Sequence, residues 1–460
     1  MERMYLREII EATGGRLLQG DPNHPVSGVG IDSRIIKPGE LFISLKGKRF
    51  DGHQFIPEVL EKGVRAFITE QEGCCPEGAH VILVEDTSKA LKDLASYYRR
   101  KFDIPIIAVT GSTGKTTTKD MIHSVLSTRF KVLKTEGNYN NEVGLPLTIF
   151  NLSPEHQIAV LEMGMSGFGE IKRLVEIAEP CVGVITNIGL SHIEKLGSRE
   201  NILKAKLEIF SRFRPEYLGI LNGDNDLLKS IRGTLPFQVE YFGLSDENDL
   251  VAYDIVHKGE RGLSYKMKIG DESHSIDLQV PGKHNVYNSL AAIAVGRHFG
   301  LSMEQIRNGL YAFQSGKMRM HIIHTGDGFT IIDDVYNASP DSMKAALATL
   351  RDFPGKRRIA VLGDMLELGE YAEEGHREVG RAVVDNGIDV LITKGEASRF
   401  IGRQAMELGM SKEAVFHFET NDDVIKMLEI FVSRNDTILV KGSRGMKMEE
   451  VVSFLQERRG

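Results

Sequence analysis

The sequence predicts an α/β protein of three domains, and three observations lead there. The chain has 460 residues, which is too long for one ordinary core and fits roughly two to four domains. Apolar runs of strand length alternate with helical stretches, as in sheets wrapped by helices. The run IIAVT at 106–110 leads straight into GSTGKTTT and then into helical spacing, so one domain opens as strand, glycine loop and helix. The expected fold is therefore α/β in three parts. These are a small α/β N-terminal domain (1–103), a central P-loop-type mononucleotide-binding parallel sheet (104–316) and a C-terminal Rossmann-like doubly wound sheet (317–460).

The elements follow in order. Short strands are expected at LFISL (41–45), AFIT (66–69) and VILV (81–84), mixed with short helices. The helical stretch ALKDLASYYRRKF runs into Ile104-Pro105. A residue before proline is pushed out of the helical region, which sets the first boundary near 103. In the second domain, IIAVT, IAVLEM (158–163) and VGVITNIG (182–189) are apolar throughout rather than alternating, as buried parallel strands are. KDMIHSVLSTRF and HNVYNSLAAIAVGRHFG read as helices, the second ended by Gly300. From about 317, FTIID, RRIAVLG, DVLIT, AVFHF and TILVKG give five short strands separated by stretches of helix length.

Composition excludes several classes. Hydrophobic residues are 41% and charged residues 26%, as in soluble globular chains. A net charge of −7 argues against a general nucleic-acid or membrane-surface role. No run approaches the roughly 20 apolar residues of a membrane span, and MERMYLREII lacks the apolar core of a signal peptide. Three cysteines, with Cys74 and Cys75 adjacent, make no disulfide framework and fit a reducing compartment. A cytoplasmic monomer without nucleic-acid partners or membrane insertion is expected.

The loop AVTGSTGKTTT departs from the usual G-x-x-x-x-G-K-Ser/Thr spacing, because Val109 stands where the first glycine belongs. Its chemistry is still that of a phosphate cradle. Gly111 and Gly114 let backbone N–H groups approach phosphate oxygens, with Ser112, Thr113 and Thr117 beside them. The following helix adds its positive end. Lys115 can reach the β- and γ-phosphates and Thr116 can ligate magnesium. The plain alternative, a Gly/Ser/Thr turn, does not account for Gly-Lys-Thr in a strand–loop–helix setting.

Further motifs accompany the loop. Asn138-Tyr-Asn140-Asn141-Glu-Val-Gly144-Leu-Pro146 fits N-x-N-N-x-x-G-x-P; Glu162 lies in LEMGM and His192 in NIGLSHIE; Lys206 to Phe210 fits K-x-x-x-F. His284 to Asn288 fits H-N-x-x-N, a G-x-x-R-M motif ends at Arg319-Met320, DDVYNASP starts at Asp333, and KGSRGMKME closes the set. Together with T-G-S-T-G-K-T-T-T these resemble the Mur ligase family, which joins amino acids or peptides to cell-wall precursors. They cover nearly the whole chain in the family's order. IDSR (31–34), GKRFDGHQFI (47–56), LGDMLELG (362–369) and KGSR resemble the branch that adds D-alanyl-D-alanine, and the D-N-P-R motif of the neighbouring branch is absent.

The resemblance implies a reaction and its parts. ATP would phosphorylate the C-terminal carboxylate of UDP-N-acetylmuramoyl-tripeptide, and the amine of D-alanyl-D-alanine would attack the acyl phosphate. A carboxylate and a triphosphate repel, so Mg2+ (two ions) and cations must bring them together. Thr116 and Glu162 are candidates for the first ion. Glu162 follows a buried run, and its plain alternative is a strand-end ion pair. The resemblance gives His192 a share in the second ion; alone, that histidine reads as structural. It also implies that Lys206 reacts with carbon dioxide to become a carbamate, which needs an amine neutral part of the time. Lys204 shares the helix, and the spacing to Phe210 selects Lys206. Asn288, Arg319 and Asp334 match ATP-contacting positions, although Asp333-Asp334 could simply start a helix.

By resemblance, Ser33, Arg34 and Lys46 would hold the uridine diphosphate. Asn140 and Asn141 would meet the sugar–peptide, unless they only shape a turn. Asn337, Ser339, Ser443 and Arg444 are the candidates for the dipeptide, and LGDMLELG could equally be a structural turn. Three rivals remain at this stage. One is another ligase of the superfamily, adding diaminopimelate or lysine, or resembling a folylpolyglutamate synthase. The others are a P-loop NTPase switch and a non-catalytic nucleotide-sugar binder.

Overall fold

The computed structural model describes residues 1–458 except Lys48, Arg49, Cys74, Cys75 and Asp271. Part of GKRFDGHQFI and the cysteine pair therefore lie outside the described residues. The architecture is α/β, and the chain divides into two compact units that interleave along the sequence. Among the described residues no helix is long and apolar enough to cross a membrane.

The first unit comprises Met1–Thr110, Phe130–Gly183 and Leu207–Tyr217. Its N-terminal sheet runs in the order Arg16–Gln19, His80–Leu83, Ala66–Thr69, Glu40–Ile43, Gly28–Gly30. The last four strands are parallel, and Arg16–Gln19 is antiparallel to its neighbour. AFIT lies where the sequence puts it; LFISL starts one residue early and stops at Ile43. The side chains of Phe42, Phe67, Val81, Ile56 and Val59 make the core of this part.

Asp86 caps the helix Thr87–Arg99, its carboxylate accepting from the Lys89 N–H. The buried Arg99 guanidinium donates to the carbonyls of Ala178, Phe102 and Ile104 at 2.9, 2.7 and 3.0 Å. That pins the chain in the extended stretch before Pro105. The parallel strands Ile106–Thr110, Val132–Lys134 and Ile158–Glu162 follow in this unit. The first and last are buried along their whole length, as their unbroken apolar sequence requires.

The second unit holds the glycine loop and most of the rest of the chain. The helix Lys115–Leu126 packs on His284–His298 and Met303–Ala312. Five further strands belong here: Leu218–Asn222, Gln238–Gly243, Leu250–His257, Leu263–Ile269 and Glu272–Leu278. The last two are antiparallel. None was anticipated. In LSYKMKI, for instance, buried Leu263, Tyr265 and Met267 alternate with more exposed neighbours, so no apolar run marks the strand.

The C-terminal sheet orders as His321–His324, Thr330–Asp334, Asp436–Lys441, Arg357–Gly363, Val390–Lys394, Val415–Phe418. The five anticipated strands are parallel. The sixth, His321–His324, is an unanticipated antiparallel edge. Ile331, Ile359, Val361, Ile392, Ile438 and Val440 pack against Val424, Leu428, Val451 and Leu455 of the helices Asn421–Phe431 and Glu449–Glu457. The helices Pro340–Arg351, Ala372–Asp385 and Arg399–Glu407 pack in series away from that cluster. The sheet is therefore doubly wound. Chains leaving Thr330–Asp334 and Arg357–Gly363 turn to one face and the chain leaving Asp436–Lys441, between them, turns to the other. A ligand crevice belongs at such a switch point.

Candidate active site

The glycine loop has a conformation that explains its sequence. Gly111 has φ 152° and Gly114 φ 78°, a region that side chains other than glycine rarely adopt. Space is short as well. A Cβ on Gly111 would lie 1.8 Å from Thr186 Oγ1, and one on Gly114 2.7 Å from Asn288 Oδ1. Val109, at the position of the missing glycine, is a fully buried strand residue.

The loop is held from the segment after Val182–Ile185. Asn187 Oδ1 accepts from the N–H groups of Ser112 and Thr113 at 3.1 and 2.9 Å, and its Nδ2 donates to Thr113 Oγ1 at 2.5 Å. Thr186 Oγ1 donates to the Thr113 carbonyl at 2.5 Å, and Ser112 Oγ accepts from the Gly189 N–H at 2.8 Å. Ser112 and Thr113 are thereby engaged by this segment, and the helix Lys115–Leu126 opens directly after them. Its N-cap, Gly114, has no side chain and makes no side-chain cap. Lys115 Nζ curls back to the Gly111 carbonyl at 2.9 Å. Asn288 sits beneath: its Oδ1 accepts from Thr118 Oγ1 at 3.1 Å, and its Nδ2 donates to Asn285 Oδ1 at 3.0 Å.

Lys206 is fully buried, whereas Lys204 on the same helix is exposed. Burial first, and the nearby Lys115 second, hold the Lys206 amine well below the ordinary lysine value. His192 has left-handed backbone, φ 66°. Burial and then Lys115 lower its pKa against the pull of Glu367, which favours a neutral imidazole able to ligate. Its Nδ1 lies 2.6 Å from Glu367 Oε2, against the carboxylate that pulls its pKa upward. Lys115, His192 and Lys206 thus come together in the second unit. Thr116 is in that unit too, and Glu162 belongs to the first. Glu162 ends its strand, buried, with Oε1 accepting from Asn140 Nδ2 at 2.8 Å.

Among the described residues no three His, Cys, Asp or Glu side chains are gathered as a ready metal cage. The anticipated ligands contain only two such residues, with a hydroxyl and a carbamate making up the set.

Ser33 and Arg34 follow the strand Gly28–Gly30, and Lys46 follows its parallel neighbour Glu40–Ile43, so all three lie beyond the same edge of one sheet. Ser33 Oγ donates to Glu58 at 3.3 Å. Exposed Arg34 grips Asp32 at 2.9 and 2.6 Å, which lowers that carboxyl to about 2. Asn141 Oδ1 accepts from the N–H groups of Val143 and Gly144 at 3.1 and 2.8 Å, a backbone task at the start of a helix.

In the C-terminal sheet, Asp334 lies 2.6 Å from the buried Lys441 ammonium, which also donates to the Asn337 carbonyl at 2.9 Å. Asp333 is buried and burial raises its pKa. Arg319 lies over the Tyr336 ring at 4.0 Å. Ser339 caps the helix Pro340–Arg351 in a capping box with Ser342. Ser443 Oγ accepts from the Leu366 N–H at 2.9 Å, and half-exposed Arg444 pairs with Glu449 at 3.1 Å. Asp334, Asn337, Ser339, Ser443 and Arg444 therefore all cluster at the switch point.

Asn187, Lys441, Glu367 and Asp341 escaped the sequence reading. Asp341 approaches Gly189, where a Cβ would meet its Oδ2 at 2.4 Å. A polar residue just after a buried strand was the available signal for Asn187, as it was for Glu162.

Three family profiles match the chain: "Mur ligase family, catalytic domain" at 25–99, "Mur ligase middle domain" at 109–296 and "Mur ligase, glutamate ligase domain" at 318–444. The chain is similar to UDP-N-acetylmuramoyl-tripeptide--D-alanyl-D-alanine ligase of Bacillus subtilis, with 42% identity over 460 residues and 99% of each chain covered. It is also similar to the crystal structure of MurF from Acinetobacter baumannii, with TM-score 0.91, 32% identity and 100% of each chain covered. Against the MurF ligase of Thermotoga maritima in complex with ADP, the TM-score is 0.82 at 31% identity, covering 94% of this chain and 97% of that one.

Proposed function

The chain belongs to the Mur ligase family, and from that premise we propose that it joins D-alanyl-D-alanine to UDP-N-acetylmuramoyl-tripeptide at the expense of ATP, in peptidoglycan precursor synthesis. The observation that carries this reading is the full-length identity to a ligase of that name. The buried Lys206 beside Lys115 and His192 supports the chemistry.

The reaction proceeds in two transfers. A carboxylate oxygen of the tripeptide attacks the γ-phosphorus of ATP, and ADP leaves. The dipeptide's amine nitrogen then attacks the acyl carbon, loses a proton, and phosphate leaves. Lys115 and the helix-opening amides of 115–117 hold the phosphates, with charge placed where it develops in the transition state. Asn288 keeps the loop in shape from below. Arg319 and Asp334 take the nucleotide side, with Lys441 fixing the Asp334 carboxylate. Asn337, Ser339, Ser443 and Arg444 take the dipeptide; Ser33, Arg34 and Lys46 the uridine diphosphate; Asn140 and Asn141 the sugar–peptide.

The donor types fit magnesium: a hydroxyl (Thr116), a buried carboxylate (Glu162), an imidazole whose charged form burial disfavours (His192) and, as a carbamate, the lysine whose ammonium burial disfavours (Lys206). When bound, two Mg2+ ions neutralise the phosphate oxygens. The domain limits that go with this division of labour are 1–103, 104–316 and 317–460. A cytoplasmic monomer completes the proposal.

Phosphate release tests it. Release should require both UDP-N-acetylmuramoyl-tripeptide and D-alanyl-D-alanine. Turnover with UDP-N-acetylmuramoyl-dipeptide and a single diamino acid, or with ATP alone, would overturn the substrate assignment.

A further inference from the structure

Glu367 belongs to the turn after the strand Arg357–Gly363, within LGDMLELG. It is one of the non-glycine residues with left-handed backbone, φ 63°. Such a conformation is strained for a residue with a side chain and persists where surroundings enforce it. Here they do so on two sides. Toward the C-terminal switch point, the Leu366 N–H donates to Ser443 Oγ at 2.9 Å, the Ser443 N–H to the Asp364 carbonyl at 3.0 Å, and the Met365 N–H to His376 Nε2 at 3.0 Å. Buried Asp364 in turn accepts from the Ser398 N–H at 2.7 Å.

On the other side the turn meets the segment that holds the glycine loop. The Glu194 N–H donates to the Glu367 carbonyl at 3.3 Å. Gly369 fits so closely that a Cβ there would lie 3.1 Å from Glu194. The Glu367 carboxylate reaches His192 Nδ1 at 2.6 Å. Ser191, one residue earlier, donates to the Ser112 carbonyl at 3.2 Å.

An imidazole has two nitrogens, and a carboxylate on one fixes which of them faces a ligand. With Nδ1 against Glu367, Nε2 is left to ligate. We propose that Glu367 is a positioning residue for His192: it sets the ring's orientation and turns Nε2 toward the ion. The role rests on the ligase reading, which gives His192 to a metal. Because the same turn is gripped by Ser443, the ring's aim is tied to the segment that would meet the dipeptide.

The test is Mn2+ affinity in the presence of ADP, read by electron paramagnetic resonance, alongside ADP affinity without metal. The full chain is used, with E367A, E367Q and H192A compared. Loss of an orienting partner of a metal ligand typically weakens affinity roughly 10–100-fold. E367A should fall in that range with metal-free ADP binding unchanged, and E367Q, which keeps an oxygen acceptor, should recover part of it. The Glu367 side chain is 52% exposed, so E367A should fold. If H192A weakens Mn2+ and E367A does not, the positioning role fails while the metal role of His192 stands. If H192A leaves Mn2+ affinity unchanged, the metal reading itself fails.

Discussion

Gly114→Ala isolates what the shortened glycine loop needs. The alanine would have to adopt φ 78° with its Cβ 2.7 Å from Asn288 Oδ1. Left-handed backbone costs a non-glycine residue about 1–2 kcal/mol. To reach ordinary contact at 3.4 Å the Asn288 oxygen must give way by about 0.7 Å. That oxygen accepts from the buried Thr118 hydroxyl, so moving it forfeits a hydrogen bond worth about 0.5–1.5 kcal/mol. The sum is about 1.5–3.5 kcal/mol of stability, seen as a lower urea midpoint with unchanged slope. The loop amides move with residue 114, so ADP affinity should drop about tenfold or more, a factor of ten being about 1.4 kcal/mol. Asn288→Ala supplies the cross-check. In that background Gly114→Ala meets no oxygen and should cost only the backbone part, about 1–2 kcal/mol. A single Gly114→Ala variant within about 0.5 kcal/mol of wild type, with normal ADP affinity, would refute this account of the loop.

Four further outcomes are expected. Lys115→Ala should lower turnover at least about a hundredfold in the phosphate-release assay, the scale for one positioned electrostatic donor; near-normal activity would remove Lys115 from the reaction. Lys206→Ala should lose most activity and regain part with a small added carboxylate, while Lys204→Ala, on the exposed face, should stay near wild type. In metal-free, carbon-dioxide-depleted buffer, Lys206→Met should stabilise the protein most at the low-pH end. The folded amine titrates below the ordinary 10.5, so the unfolded chain binds more protons in between, and wild-type stability rises with pH relative to Lys206→Met up to about 10.5; a pH-independent difference in melting temperature would contradict the shift. Free D-alanine should be a poor acceptor in amide formation, because groups meant for the second residue are left unpaired, at about 1–3 kcal/mol each.

What could be read in the sequence was what is local in it. Strand, loop and helix at 106–126 are contiguous, and Gly111 and Gly114 signal their backbone demands by type. The register that chose Lys206 over Lys204 came from the spacing to Phe210, and burial now separates the two lysines. Contacts between remote positions left no such trace. Asn187 holds Ser112 across 75 residues, and Lys441 holds Asp334 across 107. Their type, an amide or a lysine after a strand, is common on any surface. The half-exposed strands from Leu250 to Leu278 were missed for a different reason. Their cores are built by alternation within a few residues, and a search for apolar runs passes over that pattern.

The pair formed by Lys115 and Lys206 carries one more consequence. Two ammonium groups near each other, one of them fully buried, repel without solvent to screen them. The protein does not relieve this by exposing Lys206, so burial and Lys115 both weigh against the charged form of that side chain. A buried lysine beside a second cation carries a desolvation cost that a methionine of similar size would not. It becomes useful if the amine is to take up carbon dioxide: the carbamate is an anion, and the repulsion from Lys115 turns into attraction. The feature that destabilises the unmodified lysine then stabilises the modified one. Under the proposed chemistry Lys115 would then have two tasks, to meet the transferring phosphate and to bias a carbamylated neighbour toward the anionic form.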